Sequence, residues 1–189
     1  MTRIAIALQN DFADWEPALL MAAARYYLNC DVVTASPDGA PVVSMGGLKV
    51  MPDIGYDAID AETFDALVIP GGYAWEKGVA YDFTDLAVAF RDKGKVLGGI
   101  CAAASGLAAT GVLNNVAHTG NALASHQQYA TYQGSEHYRD QAPAVRDGGI
   151  VTAAGSSPDT FTIEVLKALD LYGPEAEAEL STFAAEHRG

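Results

Sequence analysis

The chain has 189 residues, carries 24 Asp and Glu against 11 Lys and Arg, and so has a formal net charge of −13 with its histidines neutral. Nucleic-acid binding rests on Lys and Arg neutralising phosphates, and neither this balance nor any local basic run supplies them, which excludes nucleic acid as a partner and disfavours membrane surfaces. Half of the residues are hydrophobic and 19 are glycine, a globular composition that, at about 150 residues per domain, makes the chain one domain with a real core.

Arg3 to Leu8 is a short apolar run that ends in polar Gln9, Asn10 and Asp11, the pattern of a buried strand running into a loop. A helix follows, with Asp14 as its N-cap, Pro17 in the first turn and good helix formers from Ala18 to Leu28. Asp31 to Ala35 is a second strand, stopped by Ser36, Pro37, Asp38 and Gly39, which completes a βαβ unit. Gly46 and Gly47 between the apolar arms of Val42 to Met51 predict a small hairpin outside the main sheet. Phe64 to Ile69 is an apolar strand entering Pro70, Gly71 and Gly72, and Asp82 to Lys93 is helical and stopped by Gly94. Lys95 to Ile100 is a further buried strand with Cys101 at its end, and Ala102 to Thr110 is an alanine-rich helix closed by Gly111. Next come a short strand near Ala117 to Thr119, a polar helix from Ser125 to Gln133, and a hairpin from Ala144 to Asp147 through Gly148 and Gly149 into Ile150 to Ala154. Ser157 or Pro158 opens an amphipathic helix to Leu171, and Pro174 to His187 is a last, acidic helix. Apolar strands alternating with helices predict an α/β fold, a doubly wound, mostly parallel sheet sandwiched by helices, with any site at the carboxyl ends of the strands.

Cys30 and Cys101 stand far apart with no Cys or His at zinc-binding spacing, so neither a disulfide framework nor a structural metal is expected. The apolar stretch at the N-terminus is too short for a signal-peptide core, and the expected location is cytoplasmic. No phosphate-cradling glycine loop and no clustered ligand set are present, so no cofactor and no metal are expected.

The strongest local signal is Gly98-Gly99-Ile100-Cys101-Ala102-Ala103-Ala104-Ser105-Gly106. Small residues on both sides of a cysteine at a strand-to-helix junction are what a nucleophile elbow requires, since larger side chains would clash in so tight a turn. At the N-terminus of a helix the dipole and the unpaired N–H groups favour a thiolate, so the expected pKa is low. The plain alternative is a small buried hydrophobe capping a strand. Cys30, without a glycine context, reads as structural.

Four segments now resemble one family. Asp14-Trp15-Glu16-Pro17 after the first strand, Ile69-Pro70-Gly71-Gly72, the Gly99-Ile100-Cys101-Ala102 elbow, and Asp147-Gly148-Gly149-Ile150-Val151-Thr152 with Gly155 are similar to the ThiJ/PfpI superfamily, in order from Arg3 to about Leu171. The resemblance implies a single ThiJ/PfpI-like domain over residues 1–189 with the flavodoxin-like class I glutamine amidotransferase fold, of the branch that includes the Parkinsonism-associated deglycase. It implies Cys101 as nucleophile, Glu16 as the carboxyl that hydrogen-bonds its sulfur, and backbone N–H groups of Gly72 and Ala102 as oxyanion donors. A carboxyl that donates to a thiolate must be protonated, so Cys101 and Glu16 would share a proton over a coupled titration. It also implies a homodimer.

The departures from the family pattern are as informative. Ala102 stands where the protease-like branch has histidine, which removes an adjacent Cys-His dyad, and no His-x-Glu pair follows Cys101, which removes the amidotransferase triad. Where the glyoxalase-like and deglycase-like members place a histidine, this chain has Asn121, and His118 reaches Cys101 only if the register differs. Trp75 and Trp15 are candidate pocket walls, and His126 and His137 fall in a polar excursion expected to be solvated. Three functions follow: a cysteine-dependent hydrolase or lyase acting on a small carbonyl compound or amide through Cys101 and Glu16, a non-enzymatic oxidative-stress protein whose Cys101 oxidises, or a small-ligand or protein-binding module with a vestigial elbow.

Overall fold

The computed structural model describes residues 1–184. Its strands are β1 (Arg3–Ala7), β2 (Asp31–Ser36), β3 (Val42–Val43), β4 (Lys49–Val50), β5 (Ile54–Gly55), β6 (Ala66–Ile69), β7 (Val96–Ile100), β8 (Val145–Asp147) and β9 (Ile150–Ala153). Its α-helices are α1 (Trp15–Ala22), α2 (Tyr73–Glu76), α3 (Thr84–Asp92), α4 (Ala102–Ala109), α5 (Leu123–Gln127), α6 (Pro158–Ala168) and α7 (Pro174–Ala184). Seven strands form one sheet in the order β5-β2-β1-β6-β7-β9-β8, parallel except for β8 at the edge, and β3 pairs only with β4. The expected doubly wound sheet, its flavodoxin-like strand order and the detached hairpin are all present.

The strands alternate between two covered faces. Ile4, Ile6 and Leu8 of the first strand and its end join one core with Leu20, Phe161 and Val165, while Ala5 and Ala7 join the other with Phe64, Phe90 and Leu107. The glycine pair of β7 follows from the same alternation. A methyl group on Gly98 would meet the Phe161 ring at 3.0 Å, and one on Gly99 would meet Leu107 Cδ1 at 2.6 Å, so each glycine makes room for a large core side chain on its own face. Among the described residues no helix is long and apolar enough to cross a membrane.

Several local expectations are corrected. Asp14 stands at the N-cap position of α1 as expected, but its side chain makes no capping bond: its carboxylate accepts from the Ser44 hydroxyl and, at 2.7 Å, from the Gly46 N–H, which ties the β3–β4 hairpin to the start of α1. The first helix does not run unbroken to Leu28, because Ala23–Tyr27 widens into a π-helix with Leu28 N–H bonded to Ala23 O, a register change that apolar periodicity does not signal. Ala117 to Thr119 is not a strand. His118 makes a single bridge to Tyr138, and the Thr119 N–H is taken by the Thr152 hydroxyl at 2.8 Å, so no ladder propagates. The polar helix is only α5, and the chain beyond Gln128 folds through turns held by Asn114 and Thr131 side chains. The strand β5 and the short α2 carry no sequence signal strong enough to predict them. The expected last helix is α7, and its predicted end at His187 lies outside the described residues.

Candidate active site

The loops after β1, β6, β7 and β9 meet at the carboxyl edge of the sheet, as a parallel α/β sheet dictates. Cys101 N–H continues the β7–β9 ladder by donating to Ala153 O at 2.9 Å, and the next step of the chain is α4, so the turn must be made within Cys101 itself. It has φ 61° and ψ −128°, a left-handed conformation that costs a non-glycine residue about 1–3 kcal/mol and aims its side chain out of the sheet edge. Gly71 packs directly against it: a methyl there would lie 2.7 Å from Cys101 Cβ.

Glu16, in the first turn of α1, is fully buried. Its Oε2 accepts from the Gly71 N–H at 2.6 Å, while Oε1 has no conventional hydrogen-bond partner and faces the Cys101 sulfur. A methyl group on Gly155 would sit 2.7 Å from Cys101 Sγ and 3.2 Å from Glu16 Oε1, which shows how closely sulfur and carboxyl share the space under that backbone. Burial pushes Glu16 up to about 7, against the hydrogen bonds from Gly71 and Cys101. Burial also pushes the Cys101 thiol up to about 11, and the negative charge of Glu16 adds to it. The low thiol pKa expected from the helix dipole is therefore corrected: desolvation and a neighbouring carboxylate outweigh one helix terminus. Across neutral and mildly alkaline pH the pair holds one proton between two sites.

Two donors address the sulfur. Asn121 Nδ2 donates to Sγ at 3.3 Å, and its Oδ1 accepts from the Gly155 N–H at 3.0 Å, which fixes the amide's orientation. The Ala102 N–H also bonds to the sulfur. Gly72 stands at φ 130°, and a methyl on it would lie 2.1 Å from Asp11 O, so only glycine fits there; it bridges Phe12, and its own N–H takes no partner among the described residues. Trp15 Nε1 donates to Gly155 O at 2.9 Å and flanks a hollow of ≈450 Å³ with Ser157 and Pro158. Trp75 Nε1 donates to Pro70 O at 3.3 Å, stacks on Phe83, and walls a cleft of ≈130 Å³ that also includes Ala102 and Asn121. Both tryptophans thus border the elbow from opposite sides. A larger hollow, ≈620 Å³, is lined by Phe12, Pro17, Met21, Tyr26 and Leu48 over α1, and none of the residues that touch the sulfur lines it.

His118 is not brought to Cys101. It is fully buried, with Nδ1 on Val116 O at 2.8 Å and Nε2 on the Tyr132 hydroxyl at 2.7 Å, and its ring stacks on His126 at 5.6 Å. His126, expected to be solvated, is likewise fully buried, with Nδ1 3.3 Å from the Ser105 hydroxyl. Burial pushes His126 down to about 4, so it is neutral at pH 7. Sequence reasoning missed the Gly71 N–H as the anchor of Glu16 and missed Ser105, which lies on α4 four positions beyond Cys101 and lines one cleft with Ala102 and Asn121. Among the described residues no group of three or more metal-binding side chains converges.

A sequence profile of the DJ-1/PfpI family matches residues 2–168. The "Uncharacterized protease YoaZ" of Bacillus subtilis is 31% identical over 173 residues, covering 88% of this chain and 82% of that protein. Among solved structures, a DJ-1 superfamily protein from Agrobacterium tumefaciens has a TM-score of 0.97 at 67% identity, covering 99% of this chain and 100% of that one. A thiJ/pfpI family protein from Bacillus anthracis has a TM-score of 0.82 at 28% identity, with 96% of each chain covered.

Proposed function

The chain belongs to the DJ-1/PfpI family, and on that premise we propose that it is a cysteine-dependent enzyme acting on a small carbonyl compound or amide through Cys101 assisted by Glu16. The observation that carries this reading is the fully buried Glu16 whose Oε1 has no partner besides the sulfur it faces, beside a cysteine held at positive φ. A strained elbow and a buried carboxyl both cost stability, and together they make a nucleophile with a proton source. In the addition step a sulfur–carbon bond forms as the carbonyl π pair moves to oxygen. The Gly72 and Ala102 N–H groups receive that oxygen, and the proton held by the Cys101–Glu16 pair neutralises it. With an amide substrate, collapse of this adduct expels the amine with a proton, and water then releases the acyl group from sulfur.

The relatives in Bacillus subtilis carry the word protease in their names. For this chain a small substrate is the better proposal, because peptide cleavage by cysteine calls for an imidazole at the sulfur, and the groups that meet Sγ are Asn121, the Ala102 N–H and Glu16, with no histidine among them. A homodimer and a cytoplasmic location belong to the same proposal, the first supported by the open apolar hollow over α1 with Tyr26 and Leu48 exposed.

The test is turnover of a panel of small aldehydes, esters and amides. Wild type is expected to convert at least one, Cys101→Ala to fall to the uncatalysed background, and Glu16→Gln to lose about 100-fold or more. Activity retained in Cys101→Ala, or no conversion of any panel member by wild type, overturns the reading. A second reading, oxidation of Cys101, is favoured by the partial exposure of the residue and the Asn121 donor at its sulfur. There the sulfur attacks peroxide, an S–O bond forms as O–O breaks, and hydroxide leaves, with a second equivalent giving the sulfinic acid. Peptide mass spectrometry after mild peroxide reads it, and a Cys101 peptide that gains no oxygen rules it out.

A further inference from the structure

The cleft beside the sulfur has a chemical character of its own. Ala102 and Asn121, both of which touch Sγ, form one end of it, and Ser105, Ser125, Gln128 and Glu76 supply its polar lining. No Lys, Arg or His lines it, and Glu76 is its one charged residue. At ≈130 Å³ it equals about four times the ~30 Å³ that a water occupies in the liquid, room for a substituent of two to four heavy atoms.

Ser105 is the residue that distinguishes this lining from an ordinary helix surface. It is buried, at 5% exposure, and its hydroxyl is already tied at 3.3 Å to Nδ1 of a histidine that is itself fully buried. The His118 and Tyr138 rings pack on His126 and on each other, so the Ser105 hydroxyl is held in place by an aromatic backing. Whichever nitrogen of His126 carries the proton, one hydrogen bond of Ser105 is committed to Nδ1, and the remaining capacity belongs to the cleft. Across from it, Gln128 Nε2 is committed to Ser125 O at 2.8 Å, which leaves the Oε1 end of that amide as an acceptor. A partner that both donates and accepts satisfies this pair in either tautomer, and a hydroxyl does both.

We infer that the cleft between α2, α4 and α5 is a substrate subsite that takes a short, neutral, hydroxyl-bearing substituent on the carbonyl compound, with Ser105, backed by His126, as the residue that reads the hydroxyl. This rests on the reading that Cys101 is the nucleophile, and it adds a substrate class: hydroxylated and uncharged substrates are favoured, while carboxylates and phosphates are rejected by Glu76 and by the lack of any cation. Ser105 is a specificity residue here, since it meets the substituent and not the reacting carbon.

The test needs no turnover. Cys101 is alkylated with N-(2-hydroxyethyl)iodoacetamide, with N-ethyliodoacetamide, which is nearly the same shape without the hydroxyl, and with iodoacetate, and the rates are read by peptide mass spectrometry. In each case the sulfur–carbon bond forms as iodide leaves. Wild type is expected to react with the hydroxyethyl reagent about fivefold faster than with the ethyl reagent, the size of one net hydrogen bond, and slowest with iodoacetate. Ser105→Ala should bring the first two rates together while leaving the ethyl rate within about twofold, and Glu76→Gln should raise the iodoacetate rate about twofold. Equal hydroxyethyl and ethyl rates in wild type, a preference that survives in Ser105→Ala, or a Cys101 that none of the three reagents reaches overturns the inference. If the preference is present and no carbonyl panel member is turned over, the subsite stands and the proposed activity falls. If turnover is present and the preference absent, the reverse holds.

Discussion

Two buried polar regions adjoin α4, one at the Cys101 sulfur and one behind Ser105, and they treat titratable groups in opposite ways. In the first, Glu16 and Cys101 are pushed together with one carboxyl oxygen facing only the sulfur, and the chain is bent through a left-handed cysteine to do it. In the second, His118, His126, Tyr132 and Tyr138 form a packed aromatic cluster in which His118 has both nitrogens bonded and both histidines are kept neutral. Each region leaves one buried polar atom without a conventional hydrogen-bond partner, Glu16 Oε1 beside a partly exposed sulfur in the first and His126 Nε2 inside the core in the second. A histidine near a cysteine in sequence is poor evidence of a catalytic pair. What matters is whether the fold brings its ring to the sulfur.

The sharpest way to break this contrast is at the backbone of the edge. Gly72→Ala places a methyl 2.1 Å from Asp11 O, a contact with backbone that cannot move without opening the Phe12–Gly72 bridge. The expected result is a loss of about 3 kcal/mol or more in chemical denaturation at unchanged m-value, together with loss of Cys101 reactivity. A variant as stable and as reactive as wild type would show that the edge is not built on this close approach.

The next pair of substitutions separates stability from reactivity. His118→Leu removes the imidazole partner of the buried Tyr132 hydroxyl and of the part-buried Val116 carbonyl and is expected to cost about 2–4 kcal/mol, with the pH profile of Cys101 alkylation unchanged. Asn121→Leu, at an exposed position, is expected to cost little stability. It removes a donor that holds the thiol down, so alkylation should require higher pH. If His118→Leu shifts the alkylation profile instead, the two regions are one coupled site and the comparison fails.

The strands and the elbow are legible because their signals are local: apolar runs, a glycine pair before Cys101, small residues after it. Glu16 and Gly72 are legible through a resemblance, and Asn121 through the position of a missing histidine. The structure brings the Asn121 amide to the sulfur. The true partners of Asp14, His118 and His126 are not legible, since Ser44, Tyr132 and Ser105 lie 14 to 30 positions away and only the tertiary fold brings them into contact. The direction of the Cys101 shift is hidden for the same reason. A helix dipole is visible in sequence, whereas burial and a carboxylate on another loop are not.

The smallest effect is also the most discriminating, because the two regions should pull stability in opposite directions over the same pH range. Glu16 ionises at 4.5 in the unfolded chain and at about 7 in the native one, so in between the native state holds a proton that the unfolded state has given up. Its contribution is full below 4.5 and is lost as pH rises through about 7. His126 falls from 6.5 to about 4 on folding, so its contribution is full above 6.5 and is lost as pH falls through about 4, and His118 shifts the same way. At about 1.4 kcal/mol per pH unit, Glu16 and His126 each amount to roughly 2 kcal/mol between pH 5 and 7 and oppose one another there. Glu16→Gln leaves the histidines unopposed and should lose stability steadily on acidification. His126→Gln should lose it less steeply than Glu16→Gln or gain it, as Glu16 takes up its proton. Denaturation midpoints at three or four pH values decide the matter: parallel profiles for wild type and both variants would mean that neither region carries a shifted proton.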